Sequence, residues 1–311
     1  MTWSTAMWLR ARRAIALGLL ALCATLPAYA QTPAPNSEAA RAAELDAAYE
    51  AGLKAGTRGP ATVTLLDQAK LAVPPDMMFV PKDEGARLLR ALGNTIRGDT
   101  LQGLVLGMKK SDGWVVVIRY IKEGYIKDDE AKDWKADEML ANIKDGTAEA
   151  NRDRAARGFP EMEVLGWIET PTYDVATHRL VWSLSSKNKG ESDAETKGIN
   201  YNTYALGRDG YFSLNLLTDS DRIGADKAVA RTLLAALAYD PGKAYEDFNA
   251  STDHIAAYGI AALVGGLAAK KLGLLALIGA FVLKFAKIIG IGIAAFLGGV
   301  WKLFGRKRES A

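Results

Sequence analysis

Apolar residues in the middle of the chain recur with two periods, one typical of helices and one typical of strands. Helical spacing predicts helices at 37–56, 82–92, 128–157 and 226–239. Alternating or short apolar runs between turn residues predict strands at 61–67, 77–81, 101–108, 114–121, 163–169, 177–186, 199–207 and 210–218. Because several neighbouring strands are joined as hairpins, the pattern predicts an α+β fold, an antiparallel sheet with packed helices.

The pattern changes after His254, where the chain becomes apolar apart from five lysines. Its length and composition predict a membrane-embedded α-helical region over 254–305, followed by a basic tail over 306–311. One helical span takes about 20 residues, so a region of this length leaves one span or two spans open. A third arrangement is one full span preceded by an interfacial or re-entrant helix, and it is the one we favour.

Small residues within this region recur every four positions, which predicts helix faces that another helix can approach closely. They are Ala257, Ala261, Gly265, Ala269 and Gly273, and further along Gly290, Ala294 and Gly298. The residues expected to anchor the region at the membrane interface are Trp301, Lys302, Arg306, Lys307 and Arg308. The expected partners are therefore the lipid bilayer and a second membrane helix, from this chain's own copy or from another protein.

The N-terminal residues 1–30 combine three arginines, a short apolar run and the sequence Ala28-Tyr29-Ala30. This combination predicts a secretory signal peptide that is cleaved before Gln31, with a retained signal anchor as the alternative. Residues 31–57 are then expected to form a linker and a peripheral helix. Residues 58–253 are expected to form the exported α+β domain.

Charge is divided unevenly along the chain. Residues 31–253 hold 28 basic and 35 acidic residues, whereas residues 254–311 hold eight basic residues and one acidic residue. An acidic body argues against a nucleic-acid partner. A basic end indicates cytoplasmic retention of the tail, so the sequence predicts a bacterial inner (cytoplasmic) membrane protein with its soluble domain facing the periplasm or exterior. Signal cleavage would also remove the only cysteine, Cys23, and with it thiol chemistry.

Three blocks of sequence resemble one known family. They are GWVVVIRYIKEGYIKDDEAKDW, GWIETPTYDVATHRLVWSL and INYNTYALGRDGYFSLNL. The family is that of the uncharacterised membrane-anchored proteins grouped under domain of unknown function 2167, and the resemblance covers about residues 58–305. It implies a signal peptide, an exported domain and a membrane-embedded tail, without an assigned reaction, so it transfers no catalytic residues.

A few side chains in residues 31–253 are candidates for a functional surface site. His178 lacks the spacing of a metal site, and we interpret it as structural. Asp128 and Asp129 begin an acidic run that suits either calcium or paired carboxylates, but such runs more commonly start a helix. Tyr201 and Tyr211 suit either a carbohydrate or peptide surface or, as we favour, the packing face of a sheet. No catalytic residue, metal ligand or cofactor is predicted.

These observations lead to one function and two alternatives. The leading hypothesis is a membrane-anchored cell-envelope protein whose exported domain is a binding or scaffolding module. The first alternative is a membrane-tethered, hydrolase-like enzyme that uses the carboxylates or His178. The second is an oligomeric, pore-like or lipid-interacting component.

Overall fold

A computed structural model describes residues 38–265, except for residues 93, 95, 97, 98, 110, 111 and 157. The predicted signal peptide and the apolar region beyond Gly265 lie outside the described residues. So do ten predicted membrane residues: Ala269, Gly273, Gly290, Ala294, Gly298, Trp301, Lys302, Arg306, Lys307 and Arg308. Within the described part, none of the helices has both the length and the apolar character that a membrane crossing requires.

The described chain forms five helices and eleven strands. The helices are α1 Glu38–Ala55, α2 Lys82–Ala91, α3 Ala136–Ala156, α4 Ile223–Ala236 and α5 Ala262–Gly265. The strands are β1 Thr57–Arg58, β2 Ala61–Leu65, β3 Ala69–Val73, β4 Met77–Pro81, β5 Leu101–Gly107, β6 Val115–Ile121, β7 Met162–Asp174, β8 Arg179–Asn188, β9 Gly198–Gly207, β10 Gly210–Asp219 and β11 Leu237–Tyr239. The α+β prediction with an antiparallel sheet is confirmed for these residues.

Eight strands form one antiparallel sheet in the order β1-β4-β5-β6-β10-β9-β8-β7, and β11-β3-β2 form a smaller one. The β9–β10 hairpin turns through Arg208 and Asp209. Gly210 follows with a φ of 151°, and an added Cβ there would collide with the carbonyl oxygen of Ile121 on β6. Glycine therefore lets β10 lie close to β6 where the hairpin begins.

Both faces of the large sheet are covered, so alternate residues of one strand enter different cores. Tyr201 and Ala205 of β9 belong to the core between the sheet, α4 and the small sheet. Leu206 belongs to a core on the opposite face, with α3 and residues 245–264. A third core on that opposite face lies under α1 and α2, over β4–β6. The alternating residues of β9 therefore point to two buried faces of the sheet, rather than to one buried face and one exposed to solvent.

Two sequence-based helix boundaries were wrong. The helix predicted from Asp128 begins at Ala136, because a 3₁₀ turn at Asp129–Lys132 comes first. The helix predicted to end at Tyr239 ends at Ala236, where the backbone becomes extended and forms β11 against β3. β3 itself was missed.

Candidate functional site

The turn between β7 and β8 presents His178, and its geometry follows from the sequence DVATH. The Asp174 carboxylate accepts hydrogen bonds from the Ala176 amide at 2.9 Å and the Thr177 hydroxyl at 2.8 Å. These bonds hold the pKa of Asp174 below its ordinary value. His178 closes the turn with a φ of 52°, and its carbonyl accepts from the Leu206 amide at 3.0 Å. His178 therefore adopts the left-handed conformation that histidine accepts more readily than most residues.

His178 lies within an aromatic and acidic cluster. The Tyr173 hydroxyl donates to Oδ2 of Asp128 at 2.7 Å and lies 3.0 Å from Nδ1 of His178. The imidazole stacks on Tyr245 with ring centroids 4.0 Å apart. Its Nε2 is 3.6 Å from the Glu246 carboxylate. The structure therefore brings His178 and Asp128 together, whereas Asp129 is exposed in the following 3₁₀ turn.

The hydrogen bonds of this cluster indicate which of its groups carry a proton. Burial, the hydrogen bond to Asp128 and its charge raise the pKa of Tyr173, so the phenol stays protonated. The phenol has one proton, and it donates that proton to Asp128 in a hydrogen bond. The contact with His178 is then a second hydrogen bond when Nδ1 of the imidazole carries a proton and donates to the phenol oxygen. That arrangement places a proton on Nδ1 of His178 and suits a structural polar network.

The same cluster holds the C-terminal end of the domain, here called the junction segment, residues 245–265. The Tyr245 hydroxyl donates to the Ile126 carbonyl at 2.8 Å. The Tyr125 ring stacks against Tyr245 at 4.4 Å and against Phe248 at 3.9 Å between centroids. Stacked rings with satisfied hydroxyls fix one end of the junction segment on the loop that follows β6.

Main-chain hydrogen bonds fix the other end. The Tyr125 amide donates to the His254 carbonyl at 2.8 Å, and the Ala256 amide returns a bond to the Tyr125 carbonyl at 2.9 Å. The Ile260 amide donates to the Lys127 carbonyl at 2.9 Å. The segment from 254 to 260 therefore follows the 125–127 backbone and is not helical.

The hydrogen bonding of residues 254–260 changes the interpretation of Ala257, Ala261 and Gly265, the first of the regularly spaced small residues. Ala257 is exposed and Ala261 half-buried, and both precede the helix α5 that contains Gly265. These three residues do not share a helical face, because the backbone before α5 is bonded to Tyr125 and Lys127. The first residues of the predicted region 254–305 are thus built into the folded domain.

A cleft lies on the opposite face of the large sheet, between α4 and strands β7–β9. Its volume is about 340 Å³. The side chains that line it mix charged, hydroxyl and apolar groups: Glu169, Thr172, Asp174, Thr177, Arg179, Val181, Tyr201, Arg231 and Leu234. The cleft is shallow and open, and it exposes charged and hydroxyl groups beside apolar side chains.

Tyr201 contributes to the cleft from within the core. Its side chain is fully buried, and its hydroxyl makes no hydrogen bond of normal geometry within the described residues. Burial raises its pKa, and the nearest charged groups are Arg231 and Glu169, whose Nη2 and Oε1 atoms are 3.8 Å apart. Tyr211 is also buried, on the other face. The two tyrosines therefore do not form an exposed aromatic surface, because each packs into a core.

Sequence reasoning missed the cleft and the junction segment. The cleft joins side chains from β7, β8, β9 and α4, and the sheet topology alone makes them neighbours. Within the described residues, no group of three His, Cys, Asp or Glu side chains is placed to hold a metal ion.

Comparison with known proteins gives one family and several distant structures, of which two are named below. The family described as Protein of unknown function (DUF2167) matches residues 57–296, which confirms the resemblance found in the sequence. No curated protein matches the chain. The solution structure of cyanobacterial PsbP (CyanoP) from Synechocystis sp. PCC 6803 is 9% identical with a TM-score of 0.36, covering 60% of this chain and 91% of that one. A point mutant of the protein Mog1 is 12% identical with a TM-score of 0.32, covering 57% of this chain and 94% of that one.

Proposed function

We propose, for a chain that belongs to the DUF2167 family of proteins of unknown function, that it is a membrane-attached binding module. In this proposal the domain faces the exported side of a bacterial inner membrane and is held directly against the bilayer. The observation that carries the proposal is the junction segment. It is packed into the domain as far as Val264, and the apolar sequence that begins after His254 continues beyond it.

In the sequence, apolar residues follow the described domain directly, without a Gly/Ser- or Pro-rich linker between them. Ile260, Leu263 and Val264 are buried in the core under α3. The sequence then continues through 266–304 with apolar residues and five lysines. A flexible linker would let the domain move freely above the membrane. A junction built into the core instead fixes which side of the domain meets the lipid.

The cleft supports the binding role. It lies on the α4 face of the large sheet, and the junction segment lies on the other face. With the apolar tail in the bilayer, the cleft stays open to the aqueous side. The domain then presents one face to the membrane and the opposite face to a ligand or partner.

Membrane extraction of the full-length chain tests the proposal. The protein is expressed in a Gram-negative bacterium, and inner membranes are washed with alkaline carbonate. We expect the chain to stay in the pellet, and protease added to spheroplasts to digest the domain. The matched control carries Leu277→Asp and Ile293→Asp, one acid in each half of the apolar sequence. Each acid opposes insertion by about 2.5–3.5 kcal/mol at a span centre, so carbonate should release this variant. Release of the unmodified chain would overturn the proposal.

A further inference from the structure

The strand edges of the described domain differ in how they are protected against pairing with another molecule. At one end of the large sheet, β1 is only two residues long. At the other end, β7 contains Pro171 and three shifts of register, and the Asn151 side chain hydrogen-bonds the amide and the carbonyl of Met162 at 2.8 and 2.7 Å. Short edge strands, prolines and bulges are devices that keep a sheet edge from pairing.

The outer edge of β2 in the small sheet lacks such protection. β2 runs from Ala61 to Leu65 in regular antiparallel register with β3, and within the described residues no strand pairs with its other edge. Residues 59–66, GPATVTLL, hold no charge, and their one proline precedes the strand. Thr62, Thr64 and Leu66 are exposed. This edge is therefore the one that is ready to accept a further strand.

The pairing of β3 shows which main-chain groups reach this edge. The Asp240 amide, just beyond β11, donates to the Gln68 carbonyl at 2.9 Å, so Gln68 faces β11. Successive residues of a strand direct their N–H and C=O groups to opposite sides, so Ala69 and every second residue after it face β2. Their partners on β2 are Leu65, Val63 and Ala61. The residues between these partners, Thr62 and Thr64, therefore direct their main-chain groups outward.

A second copy of the same strand matches this pattern of outward groups. In an antiparallel pair centred on Val63, Thr62 of each copy lies opposite Thr64 of the other. Each of these pairs exchanges two main-chain hydrogen bonds, and the threonine side chains meet on the exposed face. The strand is flanked by Arg58 before it and Asp67 after it, both exposed. Antiparallel pairing brings the basic end of one strand toward the acidic end of the other, so the flanking charges are opposite in sign.

We propose that two copies of this chain pair reversibly through the outer edges of β2, in an antiparallel register centred on Val63. The pairing joins the two small sheets, β11-β3-β2 from each copy, into one continuous sheet. A second copy is favoured over an unrelated strand because the same residues supply both halves of the hydrogen-bond pattern and of the charge pattern. One short strand from each copy buries less than the about 1,200 Å² of a lasting interface, so the pair forms and dissociates. The inference does not depend on membrane attachment.

Disulfide crosslinking in intact cells tests the pairing and its register. Two differently tagged full-length chains are co-expressed in a Cys23→Ser background, one with Thr62→Cys and the other with Thr64→Cys, and oxidised with copper–phenanthroline. Their Cα atoms would lie about 5.5 Å apart, which a disulfide spans. The controls are Thr62→Cys in both chains, where the two Cα atoms lie about 7–8 Å apart on the diagonal, and Ala72→Cys in both chains, an exposed position on β3.

We expect the mixed pair to give about tenfold more linked dimer than either control, because only its cysteines meet the distance that a disulfide needs. Absence of the mixed dimer, or equal yields from the mixed pair and the controls, would overturn the proposal. Linkage of the cysteines to another protein in place of the second copy would overturn it as well.

Charge variants separate this register from chance collision. Thr62→Lys with Thr64→Lys places lysine opposite lysine, whereas Thr62→Lys with Thr64→Glu places lysine opposite glutamate. Both sets are combined with Val63→Cys, whose two copies face each other across the axis with Cα atoms about 4.5 Å apart. We expect the first set to lower the yield of disulfide dimer about tenfold and the second set to keep it, because like charges across a strand pair are destabilising. Tm of both sets should equal that of Val63→Cys alone, since positions 62 and 64 are exposed. Equal dimer yields from the two sets would overturn the proposed register.

Discussion

Arg208 and Asp253 form an ion pair with two hydrogen bonds, Nε to Oδ2 at 2.6 Å and Nη2 to Oδ1 at 2.8 Å. Arg208 lies in the β9–β10 turn and Asp253 lies within the junction segment. Oδ2 of Asp253 also accepts from the Asn249 amide at 2.8 Å. The pair therefore ties the central hairpin of the sheet to the segment that leads toward the apolar sequence.

The first prediction concerns the pH dependence of this pair. Arg208 and the Asn249 amide hold the pKa of Asp253 well below its ordinary value of 3.8. A depressed folded-state pKa gives stability that is present above pH 3.8 and is lost as the pH falls further. We expect Asp253→Asn to lower Tm at pH 7, and the difference from the parent to shrink below pH 4. Thermal unfolding by circular dichroism at pH 7, 5, 4 and 3 measures it. Asp129→Asn, at an exposed position, is the matched control, and a difference that stays constant with pH would contradict the prediction.

The second prediction compares Tyr173, which is half-buried, with Tyr201, which is fully buried. Tyr173→Phe removes a hydroxyl that bonds to Asp128 and contacts His178. Losing that donor leaves a half-buried carboxylate unsatisfied, at a cost of about 1–3 kcal/mol. Tyr201→Phe removes a hydroxyl that has no bond of normal geometry, and should leave Tm unchanged or raise it. Denaturant unfolding gives the free energy of unfolding of both variants and of the parent, and so tests the difference. If Tyr173→Phe is as stable as Tyr201→Phe, the cluster around His178 does not hold the junction segment.

The third prediction concerns alkaline conditions. Burial raises the pKa of Tyr258 from its ordinary value of 10.0 to about 12, and it raises the pKa values of Tyr245, Tyr211 and Tyr239 further. A raised folded-state pKa gives stability that is complete below pH 10 and is lost as the pH rises through about 12. We expect tyrosinate absorbance and loss of ellipticity to rise together in that window. Gradual ionisation at pH 10 in a folded protein would show that these hydroxyls are not buried.

The sequence predicted the parts of the fold that local patterns encode. The β9–β10 hairpin was predictable because Tyr201, Thr203 and Ala205 alternate with a second set and a turn follows directly. β11 was not predictable, since its three residues continue a helical pattern and become a strand only by pairing with β3.

The sites were less predictable than the fold because they join distant residues. Asp128 and His178 were each recognised as candidates in the sequence, but only the packing of β7 against the loop after β6 brings them together. Arg119 is the one charged residue of β6. Its position beside Ser213 and Tyr204 depends on the register of β6, β10 and β9, which no short-range pattern specifies.

The last prediction concerns the orientation of the domain on the membrane. Ala257 is exposed on the junction segment and Ala235 is exposed on α4, on the other face of the large sheet. Single Ala→Cys variants at these positions, in a Cys23→Ser background, carry one fluorophore each. In vesicles with headgroup-quencher lipids, we expect strong quenching at 257 and little at 235, because the junction segment places its own side against the bilayer.

A matched variant tests whether the junction causes this orientation. Inserting a Gly/Ser linker of about 20 residues between Gly265 and Gly266 gives the domain a reach of about 25 Å. Tm of the domain should not change, since the buried residues Ile260, Leu263 and Val264 precede the insertion. Quenching at 257 should fall toward the value at 235, because a domain held only by a flexible linker samples all orientations. Equal quenching at both positions in the uninserted chain would contradict a fixed orientation. Unchanged quenching after insertion would show that the domain surface, rather than the junction segment, holds it on the membrane.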